Sequence, residues 1–343
     1  MAFTEIDRPD LYFNTVLYTG NGSTQSITGV GFQPDWVWLK ARNHAYSHQL
    51  FDVVRGATKL LTSEATDAEQ TLSGVTSFDS DGFTVGSDAG SNGSAKTFAS
   101  WNWLASNTTA SNTDGSITST VSANTTSGFS IVSYTGTGVG TSATIGHSLG
   151  VAPSMIIVKS RDSTGRGWIV YHKSLGATKK LELQTANAEA TDSGAWNNTA
   201  PTSTVFSVGT GGDTNTTDNF IAYCFAEKKG FSKFGSYTSN NSSNGPFIYC
   251  GFKPAFLIIK NITTGSTGWE MYDNKRTPNN VANLLLRANT SDADVSSDRL
   301  DILSNGFKLR QVGDTNYASD VMIYMAFAEN PFVTSTGIPT TAR

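Results

Sequence analysis

Residues 31–42 read GFQPDWVWLKAR, and the phrase returns as GVAPSMIIVKSR at residues 150–161 and GFKPAFLIIKNI at residues 251–262. In each copy a proline precedes an apolar run that ends on a lysine: Pro34 and Lys40, Pro153 and Lys159, Pro254 and Lys260. Proline fixes φ and has no N–H, so it suits the entry to a strand rather than its middle. WVWL, MIIV and FLII are short, bulky and apolar at successive positions, the pattern of a strand buried on both faces. A repeat of this length decides the fold before any single motif does.

Working outward, each copy is preceded by a strand and a glycine or asparagine turn. These are VLYTGNGS, IVSYTGTG and FGSYTSNN, with Tyr18, Tyr134 and Tyr237 in equivalent places. Each copy is followed by an aromatic segment: HQLFDVVRGATK from His48, GWIVYHKSLGATK from Gly167 and GWEMYDNKRTPNN from Gly268. Hairpin signals come next. Asp-Gly and Asn-Gly precede Phe83 and Phe307, and both residue types tolerate the positive φ of a tight turn. FASWNWLA, FIAYCFAE and IYMAFAE close the units, with Trp103, Phe225 and Phe327 equivalent.

The expected fold is all-β: three tandem, related β-sandwich or jelly-roll-like repeats with short helical turns. The predicted division is an N-terminal arm (1–12), repeats at 13–105, 129–230 and 231–332, a polar connector (106–128) and an extended tail (333–343). The connector, SNTTASNTDGSITSTVSANTTSG, is too poor in apolar residues to form a core. Its stretch 116–123 alternates Ile117, Ser119, Val121 and Ala123 with polar residues, which predicts a strand added to a sheet edge, with 106–115 looser.

At 343 residues the chain can bury sizeable cores. Charged residues are only 15%, so Ser, Thr, Asn and Gly carry the polar surface, as suits turn-rich β-structure. A net charge of −4 gives no electrostatic case for nucleic acid or anionic membrane. Cys224 and Cys250 lie in apolar runs and read as buried free thiols. The first residues lack a basic and an apolar region, so no secretory signal is expected, and no run approaches the ~18 apolar residues of a membrane helix.

The phrases LYTGNGS, GFQPDWVWLK, VRGATK, FDSDGFTVGS, IAYCFAEKKGFSKFGSYT, LSNGFKLRQ and YMAFAENPF resemble a structural repeat family of marine and cyanobacterial tailed phages. The resemblance covers nearly the whole chain from about residue 13. It implies a virion component, made in the host cytoplasm, whose partners are other virion proteins and copies of itself, with a trimer favoured. Fibres of such phages carry an anchoring region before their repeats. Only a short arm precedes the first strand here, which leaves room for a compact tail or capsid-surface protein.

Candidate sites are few. Trp36 and Trp38 have the faces of a sugar platform, but Met155, Ile157, Phe256 and Ile258 hold the same places, so core packing is expected. Asp79 and Asp81 suggest half a calcium loop, yet the third repeat has no acid there, and a turn is expected. His44, Tyr46 and His48 form a cluster peculiar to the first repeat and are the candidate contact loop; His172 and His147 stand apart from it. No Gly-x-Ser-x-Gly elbow or triad is present, and Glu64, Asp67, Glu69, Glu182, Glu189 and Asp192 read as solvated acids. Asp52 with Arg55, and Lys59 with Glu64, read as surface ion pairs. No catalytic residue, cofactor or metal ligand is expected.

Together these readings point to a tail-associated fibre or adhesin-type protein contacting host surface glycans. The alternative is an architectural protein that decorates a capsid or braces a tail without a host ligand. A polysaccharide depolymerase is the third reading.

Overall fold

The computed structural model describes residues 3–340; residues 1–2 of the expected arm and 341–343 of the expected tail lie outside them. The fold is all-β, with only short helical segments among the described residues: Pro9–Leu11, Ala89–Asn92, Ser193–Trp196 and Gly212–Asn215. Three main sheets share one strand order. In the first, the opening strand Phe13–Thr19 pairs with the closing strand Thr97–Trp103, then Trp36–Ala41, then Gln49–Asp52. Phe129–Thr135, Asn219–Phe225, Met155–Ser160 and Ile169–His172 repeat this order, as do Ser232–Thr238, Val321–Pro331, Phe252–Asn261 and Trp269–Asp273.

The Pro-to-Lys strands are central in each sheet and buried throughout. Side chains alternate between the faces of a strand. Val37, Ile156 and Leu257 therefore point outward, into cores closed by a second layer of strands, a separate small sheet in the first and second repeats and the continuation of the same eight-stranded sheet in the third. That outer sheet holds Gln25–Thr28, Gly82–Val85 and Val75–Asp79 in the first repeat. Each repeat is thus a two-layered sandwich. Pro254 departs from expectation: it lies inside its strand, at a bulge where the register shifts and the missing N–H is tolerated.

Trp36, Trp38, Met155, Ile157, Phe256 and Ile258 point the other way, into one hydrophobic core common to all three repeats. Its centre is a triangle of the equivalent residues Trp103, Phe225 and Phe327, with ring centroids 5.7–6.5 Å apart. The sheets thus surround a pseudo-threefold axis, and each supplies a wall that the other two cover. Trp36 is fully buried and stacks on Tyr223 at 4.3 Å, so its reading as core is correct.

The connector extends the second repeat's main sheet. Ser119–Asn124 pairs with Phe129–Thr135, as a strand in 116–123 anticipates, but Ala110–Asn112 also forms a strand, so 106–115 is more structured than its composition suggests. The hairpin turns before Phe83 and Phe307 are present, joining Val75–Asp79 to Gly82–Val85 and Val295–Leu303 to Gly306–Leu309.

Candidate functional site

The strand register sets one end of the axis apart from the other. Trp36 pairs with Trp103, and Phe13 enters beside them, so the arm, connector and tail gather at the aromatic end. Lys40, Lys159 and Lys260 lie at the opposite pole, where the loops 42–48, 161–168 and 262–268 leave the Pro-to-Lys strands. All three lysines are fully buried. Lys40 Nζ donates to the carbonyls of Ala41 (2.8 Å) and His44 (3.3 Å). Lys159 donates to Ser160 O, and Lys260 to Asn261 O and Thr267 O. Lys40 and Lys260 thereby fasten their loops to the sheets, whereas Lys159 caps the end of its own strand. Burial lowers each to about 8, against attraction from acids such as Glu64, Asp67 and Asp314.

The candidate trio divides here. His44 is exposed and Tyr46 half-buried, with their rings edge to face at 4.2 Å. His48 is fully buried and is not part of a contact surface. Its Nδ1 accepts from the Trp38 indole N–H at 2.8 Å, so Nε2 carries the proton and donates to Arg287 O at 3.0 Å. Burial, aided by Lys40, keeps it neutral far below the usual histidine range. With both nitrogens engaged, it has no lone pair for a metal.

The register explains this histidine. Lys260 lies opposite Trp269, and the same alignment puts Trp168 and His48 at the matching place. Trp168 Nε1 donates to Thr62 O (2.8 Å), and Trp269 Nε1 to Glu182 O (3.1 Å). Each repeat thus receives one N–H bond from a ring of the following repeat, and His48 closes the cycle from the first repeat to the third. Its role is that of a tryptophan.

The acids taken as solvated include a second cyclic device. Glu69 N donates to Arg161 O, Glu189 N to Ile262 O and Asp294 N to Arg42 O, at 2.7–3.0 Å. Glu69 also clamps Arg161 (2.9 Å) and Arg55 (3.4 Å), and Asp294 clamps Arg42 (3.0 Å) and Arg276 (2.8 Å). Where the second repeat meets the third, Leu175 and Ile262 replace the arginines, and Glu189 pairs with Lys179 of its own repeat instead. The signal was visible as a recurring Ala-acid pair: Ala68-Glu69, Ala188-Glu189 and Ala293-Asp294.

Asp52 and Arg55 are not a surface pair. Their side chains are fully buried at 2.5 Å, as are Asp273 and Arg276 at 2.6 Å. Asp52 accepts from Tyr223 (2.8 Å) and Asp273 from the Trp101 indole (3.1 Å), each across a seam. Burial alone would lower Arg55, but Asp52, Tyr223 and Glu69 hold it charged. Lys59 and Glu64 do not pair: Lys59 bonds Thr71, and Glu64 accepts from His48 N.

Asp81 is a turn fixture, accepting from Gly29 N and Gly31 N, and Asp79 accepts from Ser77 and Thr84. Among the described residues no group of three or more His, Cys, Asp or Glu could hold a metal. Both cysteines are buried free thiols, and burial pushes Cys250 up to about 12. A further fixture escaped the sequence reading. The fully buried Asn92, Asn215 and Asn316 each bridge two backbone segments beside Tyr18, Tyr134 and Tyr237. The tyrosine hydroxyls donate to the carbonyls of Ser91, Thr214 and Thr315.

One polar recess of ≈ 320 Å³ flanks the third repeat, lined by Lys253, Asn274, Thr277, Asn280, Ser304 and Asn330 among others. The loop after Arg276 is longer than its counterparts after Arg55 and Leu175 and forms one wall. The amide Oδ1 of Asn274 is buried there without a partner. Amides, hydroxyls and one ammonium suit a hydroxyl-rich ligand better than a charged one.

Residues 8–331 match the profile of a family described as a domain of unknown function, DUF7483, and the chain belongs to that family. No curated protein matches the chain. No solved structure matches it either.

Proposed function

We propose that this chain is a structural component of a tailed-phage virion, a compact tail-associated adhesin that meets host surface glycans with its loop pole. The observation that carries the reading is the pole itself. Three related loops sit around one axis, each following a buried lysine that in the first and third bonds the loop itself, and the first carries the His44–Tyr46 ring pair at the surface. Aromatic edges and faces beside Ser, Thr and Asn are the chemistry of carbohydrate contact. Fusion of three sandwiches through one core supplies in one chain much of what a homotrimer supplies by assembly. Trimerisation on the particle remains part of the proposal as a further multiplication of weak contacts.

The test is binding of the purified protein to host cells and to their extracted polysaccharide. The double variant His44→Ala/Tyr46→Ala should fold normally and lose that binding. Retained binding that is lost instead on Thr277→Trp, which fills the recess, would move the ligand there. A protein that binds neither cells nor polysaccharide but does bind assembled particles would overturn the adhesin reading. The architectural reading, decoration or bracing without a host ligand, would then stand. It is favoured by the half-buried Val16 and Tyr18 on Phe13–Thr19, a terminal strand of the first repeat's main sheet.

A further inference from the structure

The connector does more than join two repeats. Ser119–Asn124 adds to the main sheet of the second repeat, with Val121 opposite Val132. Just before it, Ile117 forms a parallel bridge to Ile145 in the outer sheet, and Ile117 N donates to Thr144 O at 3.0 Å. Ser116 N donates to the Thr144 hydroxyl (2.8 Å), and Thr144 N to the Ser116 hydroxyl (2.9 Å). Gly115 passes so near that a Cβ would lie 2.3 Å from Thr144 O, so no other residue fits without movement. One arm therefore seals both edges on one side of this sandwich. Ile117 and Val121 enter its core, and beneath them Val132 and Tyr134 are 0% and 3% exposed.

The first repeat has the same side and no arm. Phe13 opposite Trp103 corresponds to Phe129 opposite Phe225, so Val16 and Tyr18 occupy the places of Val132 and Tyr134. Ile27 opposite Phe83 corresponds to Ile145 opposite Phe206, which puts Ser26 at the place of Thr144. Phe13–Thr19 and Gln25–Thr28 are both terminal strands of their sheets, each paired on one side. Val16 and Tyr18 are only half-buried, and Ser26 is exposed. The apolar surface that the connector covers in the second repeat is left partly open in the first, and Thr15 N–H, at the place of the connector-paired Ile131, is bonded by the neighbouring Asn14 Oδ1 (2.9 Å) instead of by an added strand. Long unguarded edges are templates for another strand. In the third repeat the edge is guarded: Lys233 lies on the opening strand, and Gly235 replaces the valine.

We propose that this side of the first repeat docks an extended, uncharged, Ser/Thr-rich arm of another polypeptide. The arm adds a strand at Phe13–Thr19 and at Gln25–Thr28 as residues 115–124 do in the second repeat. The occupant's chemistry is read from that internal copy: small hydroxyl residues alternate with single aliphatic ones, and the facing edge (Asn14, Leu17, Thr19, Gln25, Ser26, Thr28) carries no charge. Main-chain bonds give the affinity and the aliphatic side chains set the register. The inference does not depend on whether the particle-borne role is adhesive or architectural.

The experiment uses the full chain and a synthetic peptide of residues 115–126 as the probe, read by amide hydrogen exchange. Saturating peptide should slow exchange across 13–19 and 25–28 by about tenfold or more, as expected for newly bonded edge amides. A peptide with aspartate in place of its isoleucine and valine should give no protection. Ser26→Pro removes the edge N–H at a position where proline is tolerated, and Thr28→Lys charges the edge; either variant, folded by circular dichroism, should abolish protection. No protection at millimolar peptide, protection elsewhere in the chain, or undiminished binding by both folded variants would overturn the proposal. Concentration-dependent self-association through these edges without peptide would give the site to a second copy and overturn it too.

Discussion

Replacing Arg55 with leucine tests the cyclic seams directly. Arg55 is fully buried, donates to Asp52 at 2.5 Å and also holds the carbonyls of Leu50 (2.8 Å) and Lys59 (2.9 Å). Arg55→Leu leaves the Asp52 carboxylate buried with its three neutral donors, the backbone N–H groups of Val54 and Arg55 and the Tyr223 hydroxyl, and no counter-charge. Breaking one partner of a buried pair costs about 3–5 kcal/mol. For a chain of this length that is a fall in Tm of about 4–7 °C. The molecule itself contains the repair. In the second repeat His172 and Leu175 stand where Asp52 and Arg55 do, and Met325 faces that seam at the place of Tyr223. The triple variant Asp52→His/Arg55→Leu/Tyr223→Met copies that solution. It should regain all but about 1 kcal/mol, since well-packed apolar groups often replace buried ion pairs without loss. Urea unfolding at pH 7, compared at constant m-value, gives both numbers. A cost under ~1 kcal/mol for the single variant, or a triple variant no more stable than the single, would refute the reasoning.

Trp36→Ala should cost about 3–5 kcal/mol in the same assay, as removal of a buried aromatic does. Trp36→Phe should cost much less, because the indole N–H it removes is buried without a partner. Asn92→Ala should cost ~1–3 kcal/mol by orphaning Gly86 O and Asn21 N. In a glycosylating host Asn92 and Asn215 should stay unmodified in folded protein, whereas the exposed Asn107 and Asn241 are accessible, which mass spectrometry reads. The pH profile follows from three sets of groups. Burial holds His172 at about 4 and His48 well below its usual value, so the unfolded chain takes up more protons as pH falls from about 6.5, and stability present above that pH is lost. Asp35, raised by burial to about 6, opposes this between pH 6 and 4, where the folded state keeps the extra proton. The three lysines, lowered to about 8, make stability rise between pH 8 and 9, above which the two buried thiols, raised by burial, oppose them; a Tm that falls between pH 8 and 9 would contradict the burial of the lysines as ammonium groups.

Much of the architecture is legible in residues 31–42 and their two copies. Apolar residues at every position between proline and lysine require a strand covered on both faces, and threefold recurrence requires three equivalent strands. The turn chemistry at Asp81-Gly82 and Asn305-Gly306 fixes the hairpins, and the alternation around Val121 announces a strand on an edge. These are local consequences of strand periodicity and φ preference, and they need no knowledge of what lies across the sheet. What covers the inner face is another matter. Trp36, Met155 and Phe256 declare that they are buried but not that they bury one another, because that depends on three sheets closing around one axis. The same closure decided the polar residues. His48 reads as part of a contact loop until Arg287 O, two repeats away, takes its N–H, and Asp52 and Arg55 read as surface charges until the next repeat's Tyr223 covers them. Besides its local contacts, each of these polar side chains has a partner more than a hundred residues distant in the chain, on a different repeat. Their meaning was set by the closure of the ring, which no local pattern encodes.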